Sequence, residues 1–550
     1  MSTRHDARMD ASSSVIVGVG TSVVAMLVAW LLYRARFHPL QALRGPPSTH
    51  VIAGNGREFA NFAWSATRPF PEPFASWTKT YGTAFYYRVL FQHRVNLADP
   101  VSLQHVLVTK AANYPRDTIP RSILRTLLGG DGLLSSEDQV HAGQRKHLHP
   151  PFSQTNLKAF VSIFAAETAT LLSVLDAMPD GHIVDVPDLL TRLTLNVIGK
   201  TAFGYDFNTL DPTNNQAAIA LSAFDKLNTP PRPLYILGLA FLPHFEHWPL
   251  PYLRQIQTAK SMLFRIVDDV IAHKVATPAP AFDLLDLLLA DAAMTATEAR
   301  VHVMTFMFAG HETTSSTLSW VLAMLATHPA VEAAVVDECR RALANAGGAV
   351  SWQTLSDLSL LTATIYETLR LYPTVPFITM RTCTHDDWIP RTDDDPFFMP
   401  KGAQATFCVG AIHQHARYWS RPTEFLPARF LDGSPEHEAD ALLRHGNSSR
   451  FTFVPFSLGR QLVRVLTVGS FLIRAQKLHW KTLCDRRDAN GAAPLATALC
   501  ADTYTGIELD TQAHRCHDQA DGVAVAATPP LNVQFSFIFH GFVDQKVPYV

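Results

Sequence analysis

The chain has 550 residues, 47% of them apolar and 17% charged, with 46 basic against 48 acidic side chains. That balance leaves no electrostatic footprint for nucleic acid or another polyanion, and the apolar share is enough for a large buried core. Six cysteines (Cys339, Cys383, Cys408, Cys484, Cys500 and Cys516) are too few and too scattered for a disulfide framework, which points to a reducing compartment.

After a short tail (1–14), residues 15–33 (VIVGVGTSVVAMLVAWLLY) run for 19 positions without a charge. That is close to the length of a bilayer-spanning helix, and Trp30 and Tyr33 sit where amphipathic rings favour the interface. Arg34 and Arg36 follow, and Arg44-Gly45-Pro46-Pro47 ends the helix, so 34–50 reads as a proline-containing hinge. A cleaved signal peptide is the rival reading, but its apolar core would be shorter and no small-x-small cleavage site follows Tyr33.

Residues 51–460 show no repeat and no long low-complexity linker. Apolar spacing predicts helices over 155–176, 186–203, 254–276, 296–327, 329–346 and 359–371. Strand-like runs occur at 82–98 and 404–412, and proline-rich loops at 228–233 and 243–251. The fold class is therefore mainly α with small β-sheets (α+β). Residues 461–528 differ. From about 484 onward they are rich in Ala, Asp, Thr and Gly with little periodicity, and so long a structureless stretch is anomalous inside a compact domain. The end region, 529–550, opens with Pro529-Pro530 and holds the alternating NVQFSFIF, a strand pattern.

Within the helical run, 308–316 (FAGHETTSS) places polar groups where an apolar helix is expected, which is costly without partners or a task. Thr313 and Ser316 can bond back to carbonyls in the preceding turn, bending the helix and opening a polar notch beside Glu312. His311-Glu312 begins the zinc-protease string HExxH, but position 315 is Ser. Further on, Glu367 and Arg370 share a helical face with apolar flanks, so the pair is at least partly buried and needs further partners. Arg429, in FLPARF (425–430), is a candidate third member.

Together these residues resemble the cytochrome P-450 family. AGHETT is similar to its oxygen-activation helix, Glu367-Thr-Leu-Arg370 to its ExxR pair, and FLPARF to its third signature, in the family's order. His141-Ala-Gly-Gln-Arg145 resembles the helix that holds haem propionates, and Arg381, eight residues after Pro373, resembles a propionate-binding arginine. The resemblance implies a cytochrome P-450 fold behind one N-terminal transmembrane helix. It also implies a haem cofactor held by a cysteine thiolate, an apolar small-molecule substrate and an NADPH-dependent reductase as electron donor. Location at the endoplasmic reticulum, with the catalytic domain in the cytosol, follows from the same likeness. By that likeness Thr313 would hydrogen-bond dioxygen and Glu312 would help deliver a proton. His141, Arg145 and Arg381 would neutralise the propionates. Glu367, Arg370 and Arg429 would lock the structure beneath the haem, Phe456, Gly459 and Arg460 would form the loop against it, and Phe308 and 375–377 would border the substrate.

The pattern breaks at the metal ligand. The family's loop reads Phe-x-x-Gly-x-Arg-x-Cys-x-Gly, and counting from Phe456 and Gly459 the cysteine position is Val463 and the arginine position Gln461. Arg460 stands next door. Valine has no donor atom for iron, and the next cysteine is Cys484. Cys408, in a strand-like stretch, reads as a small core residue, and His413 and His415 as surface or propionate-side polar residues. The likeness resumes only near 529, which suggests a translated intron or a local frameshift. Genuine degeneration into a non-catalytic, membrane-anchored pocket protein is the rival. A haem isomerase or dehydratase of the same fold is a third reading, against which the retained Glu312 and Thr313 count.

Overall fold

In a computed structural model of the chain, residues 37–458 are described together with Met26, apart from breaks at 61–70, 149, 151–152, 180–183, 229–234, 237, 240–241, 243, 278–282, 291–293 and 445–448. The candidate anchor at 15–33 (Met26 aside), Gly459, Arg460, Val463, the rest of 461–528 and the strand pattern in 529–550 lie outside the described residues.

The principal helices are α1 (Phe74–Tyr81), α2 (Thr118–Leu128), α3 (Asp138–Leu148), α4 (Val161–Asp176), α5 (Val186–Ile198), α6 (Asn215–Asn228), α7 (Pro251–Ala276), α8 (Leu284–Ala290), α9 (Ala296–Thr327), α10 (Pro329–Asn345), α11 (Ser359–Leu371), α12 (Val409–His413) and α13 (Pro435–Leu443). Strands β1 (Ala84–Val89), β2 (Gln92–Leu97), β3 (Phe377–Thr382) and β6 (Gln404–Cys408) form one sheet in the order β1-β2-β6-β3. The β2–β6 pair is parallel, the others antiparallel, and β4 (Asp387–Ile389) and β5 (Phe397–Met399) make a separate antiparallel pair. The mainly helical class with small sheets is thus observed.

Local chemistry explains most boundaries. Thr295 and Glu298 cap α9 reciprocally, the Glu298 amide donating to Thr295 Oγ1 at 3.2 Å and the Thr295 amide to Glu298 Oε2 at 2.8 Å. The helix ends at His328, and Pro329 opens α10 after a bend of 114°. Helix α7 starts at Pro251, inside the expected proline loop, because proline at a first helical turn loses no hydrogen bond. The expected helix 186–203 changes to a wider turn at Gly199, where a Cβ would run into Phe207 and the Tyr205 carbonyl. The run 82–98 is a hairpin that turns at Leu90, and 404–412 is strand only to Cys408 before α12 begins. Cys408 is fully buried, as its sequence context suggested, and burial pushes its thiol up to about 12.

Helix α9 is the axis of the domain, buried on most of its surface and packed on α5. Gly310 leaves room for Ile198, and Thr194 Oγ1 donates to the His311 carbonyl at 3.0 Å. Among the described residues, 155–176 is long and apolar enough to cross a membrane, but Phe164 and Leu171 lie in the core, as in a buried helix of a globular domain.

Candidate functional site

Helix α3 carries His141 and Arg145 four residues apart, hence on one face, and that face meets Arg381 of β3 across a cavity of about 580 Å³. Tyr114, Lys146, Glu137 and Leu458 also line it. The three residues expected to hold propionates are therefore brought together from separate elements. A further cation, Arg116, has nothing in its local sequence context to mark it. It is 5% exposed, bridges to Arg381 along the backbone, and donates to the Leu134 and Ser136 carbonyls at 2.8 and 2.9 Å.

Among the described residues the cavity wall carries three cations (Arg145, Lys146, Arg381) and two carboxylates, Glu137 and Asp138, and Arg116 approaches Glu137 at 3.6 Å. Burial and the Arg116 charge pull Arg381 down to about 9 despite Glu137, and burial lowers Arg116 to about 10. Burial, then the charges of Arg116, Arg145 and Arg381, lower His141 to about 4, so the imidazole is neutral at pH 7. Such a donor set calls for an anion, and it fits the two carboxylates of haem.

The expected oxygen-activation residues lie on α9 and do not line this cavity. Thr313 Oγ1 donates to the Ala309 carbonyl at 2.7 Å, the back-bonding expected of it, and Thr314 and Thr317, not Ser316, extend the pattern, to Gly310 at 2.7 Å and Thr313 at 2.8 Å. The helix nevertheless runs unbroken from Ala296 to Thr327. Glu312 is half-buried beside Thr313, whereas His311 is turned away: its ring lies 4.6 Å from Phe224 and burial lowers it to about 4. Phe308, expected at the substrate, packs on Phe224 in the helical core. His302 stands three turns before Thr313 on the same face, 2% exposed, its Nδ1 without a hydrogen-bond partner among the described residues.

Glu367, Arg370 and Arg429 form one buried network with a member the sequence did not reveal, Asp440 of α13. Glu367 accepts from Arg370 at 2.7 and 2.9 Å and from Arg429 at 3.0 Å, and Arg429 reaches Asp440 at 2.6 Å. The segment expected to open the ligand loop packs against α11 and Phe430. Phe453 packs on Tyr366 and Phe430, Phe456 is half-buried, and Leu458 reaches the cavity wall. The reading of His413 as a surface or propionate-side residue is corrected: it is fully buried, because α12 turns it under the sheet toward α11 and the loop. His415 is half-buried.

Four imidazoles are thus held neutral: His141, His302 and His311 at about 4 and His413 at about 3. The unfolded chain, with histidines near their ordinary ~6.5, takes up protons that the folded chain refuses. Stability is therefore full above about 6.5 and falls as the pH drops toward about 4, by up to roughly 2 kcal/mol per imidazole at pH 5. Urea midpoints at pH 7.5 and pH 5 check this, and an equal or higher midpoint at pH 5 contradicts it.

Against known proteins, residues 45–462 match the family described as cytochrome P450. The match stops one residue short of Val463. The chain is 26% identical over 467 residues to cytochrome P450 monooxygenase FSL4 of Gibberella zeae, covering 78% of this chain and 80% of that protein. It is 25% identical over 465 residues to cytochrome P450 monooxygenase sphH of Aspergillus fumigatus, covering 80% and 82%. Cytochrome P450 4F3 of Homo sapiens is 28% identical over 388 residues, covering 66% and 70%.

Proposed function

The chain belongs to the cytochrome P450 family, and from that premise we propose that its gene specifies a membrane-anchored haem monooxygenase for an apolar substrate, while the chain written here lacks the thiolate needed for that reaction. The observation that carries the reading is a cationic cavity with Leu458 on its wall, followed after five residues by valine at the ligand position.

Haem bound through a thiolate supplies oxygen activation. His141, Arg145 and Arg381 would hold its carboxylates, the imidazole donating as a neutral group and the guanidiniums as charges. In the resting helix the Thr313 hydrogen is committed to the Ala309 carbonyl. Its oxygen keeps acceptor capacity, and the half-buried Glu312 carboxylate is the adjacent group able to take up and release a proton. The Val463 side chain has no donor atom, so it would not supply the thiolate that this chemistry needs. The uncharged stretch 15–33, followed by Arg34 and Arg36, supports an anchor. A reductase partner and an endoplasmic-reticulum location rest on the family.

A non-catalytic pocket protein is the second reading, and Val463 favours it. The expected spectrum of the reduced, carbon-monoxide-treated chain has no thiolate-type Soret band; such a band would mean that some sulfur reaches the iron. Sequencing the transcript across codons 455–530 then separates the readings. A cysteine in the mature message supports the monooxygenase gene with a mis-spliced or frameshifted segment here, and an unchanged Val463 supports degeneration.

A further inference from the structure

The buried network at Glu367 and the ligand loop at 453–458 come from distant parts of the chain, and one residue joins them, by its carbonyl on one side and its ring on the other. His413, the last residue of α12, is 0% exposed. Its carbonyl accepts from Arg370 Nη1 at 2.9 Å, its Nε2 accepts the Val454 amide at 2.8 Å, and its ring lies 5.2 Å from Phe453. A backbone N–H can only donate, so Nε2 must carry the lone pair and the ring is the neutral Nδ1–H tautomer. Burial and the Arg370 charge hold it in that form.

The loop turns at the same residue. The Ser457 amide donates to the Val454 carbonyl at 3.1 Å, closing a turn in which Ser457 takes the left-handed conformation (φ 66°), uncommon for a residue with a side chain. Leu458 follows directly and meets the cavity wall. A link thus runs from the Arg370 guanidinium through His413 and the Val454–Ser457 turn to the edge of the cavity.

We propose that His413 is a positioning residue that sets the entry of the ligand loop into the cavity, carrying the rigidity of the Glu367–Arg370–Arg429 network to the loop backbone through its imidazole acceptor. This rests on the reading of that loop as the one beneath the haem. The bland alternative is a core histidine whose ring merely fills space, and glutamine and phenylalanine separate the two. The Oε1 of His413→Gln can take the place of Nε2, whereas His413→Phe keeps the volume and removes the acceptor.

The test is hydrogen exchange of the segment 452–458 in the full chain without haem, alongside haemin titration. In His413→Phe the Val454 amide should exchange about tenfold faster or more, with haemin affinity falling about tenfold, while His413→Gln stays close to the unmodified chain. Unchanged exchange in His413→Phe, or equal loss in both variants, overturns the proposal. Where His413→Phe does not fold, His413→Gln decides: retained protection supports the role, and lost protection or a second failure to fold assigns His413 to simple packing. The exchange arm needs no cofactor: haemin failing to bind the unmodified chain, as valine at position 463 allows, removes the affinity readout, and the exchange result alone then decides the proposal.

Discussion

Replacing Glu367 with glutamine is expected to destabilise the folded chain by roughly 3–5 kcal/mol. Glu367 is fully buried and takes four hydrogen bonds besides its charge pairing: Arg370 Nε and Nη2, Arg429 Nε and, at 2.8 Å, the Leu426 amide. In the intact network two guanidiniums face two carboxylates, Glu367 and Asp440. Glutamine removes one charge and turns an acceptor into a donor, so two buried guanidiniums are left with one carboxylate, Asp440, which touches Arg429 and is already engaged by the Ser420 amide and hydroxyl at 2.7 and 2.6 Å. Typical domains have only about 5–15 kcal/mol to lose, so the variant should accumulate poorly and melt far below the parent. The control is Arg341→Ala, which breaks an exposed ion pair to Asp337 at 3.3 Å. Exposed pairs contribute less than about 1 kcal/mol. Equal melting temperatures for the two variants would show that the buried network does not bear on stability.

Replacing Arg381 with methionine should separate binding from folding. Arg381 lies among Arg116, Arg145 and Lys146, and its guanidinium is held in the protein against burial and against the Arg116 charge. Removing it relieves like-charge repulsion in the empty site, so the thermal stability of the cofactor-free chain should hold or rise. A charge-assisted hydrogen bond to a carboxylate contributes about 1.5–3 kcal/mol, so affinity for haemin should fall by ten- to about a hundredfold. Protoporphyrin without iron should lose a similar factor, because the contact is to carboxylates and not to metal. Unchanged affinity, or a loss of stability as large as the loss of affinity, would mean that Arg381 serves the sheet and not the ligand.

Much of the helical framework was legible because helices are local. The apolar repeat over 296–327, with Thr295 and Glu298 at one end and Pro329 at the other, matches α9 to the residue. The expected 359–371 likewise coincides with α11. The sheet was legible in part. The run 82–98 holds β1 and β2 and 404–412 holds β6, but β3 was not expected, since it is six residues long and pairs with β6 across more than twenty residues. At the site, His141, Arg145 and Arg381 were found through a family likeness, and only the structure adds Arg116. Asp440 escaped notice because PEHEADALL reads as an ordinary solvated helix until Arg429 folds against it.

His413 and Val463 mark the two kinds of knowledge. A histidine in VGAIHQH has no local sign of burial or partner; both come from an α11 carboxylate network and a loop amide some forty residues apart from it in sequence, and they exist only once those segments meet. The valine at the ligand position needs no structure. Covalent chemistry settles that it has no sulfur to give, and packing can move a side chain but cannot supply an atom it lacks. The sequence by itself therefore determined the family, the main helices and the missing donor. Tertiary structure alone decided which charges are buried together, because burial and pairing are properties of neighbours in space.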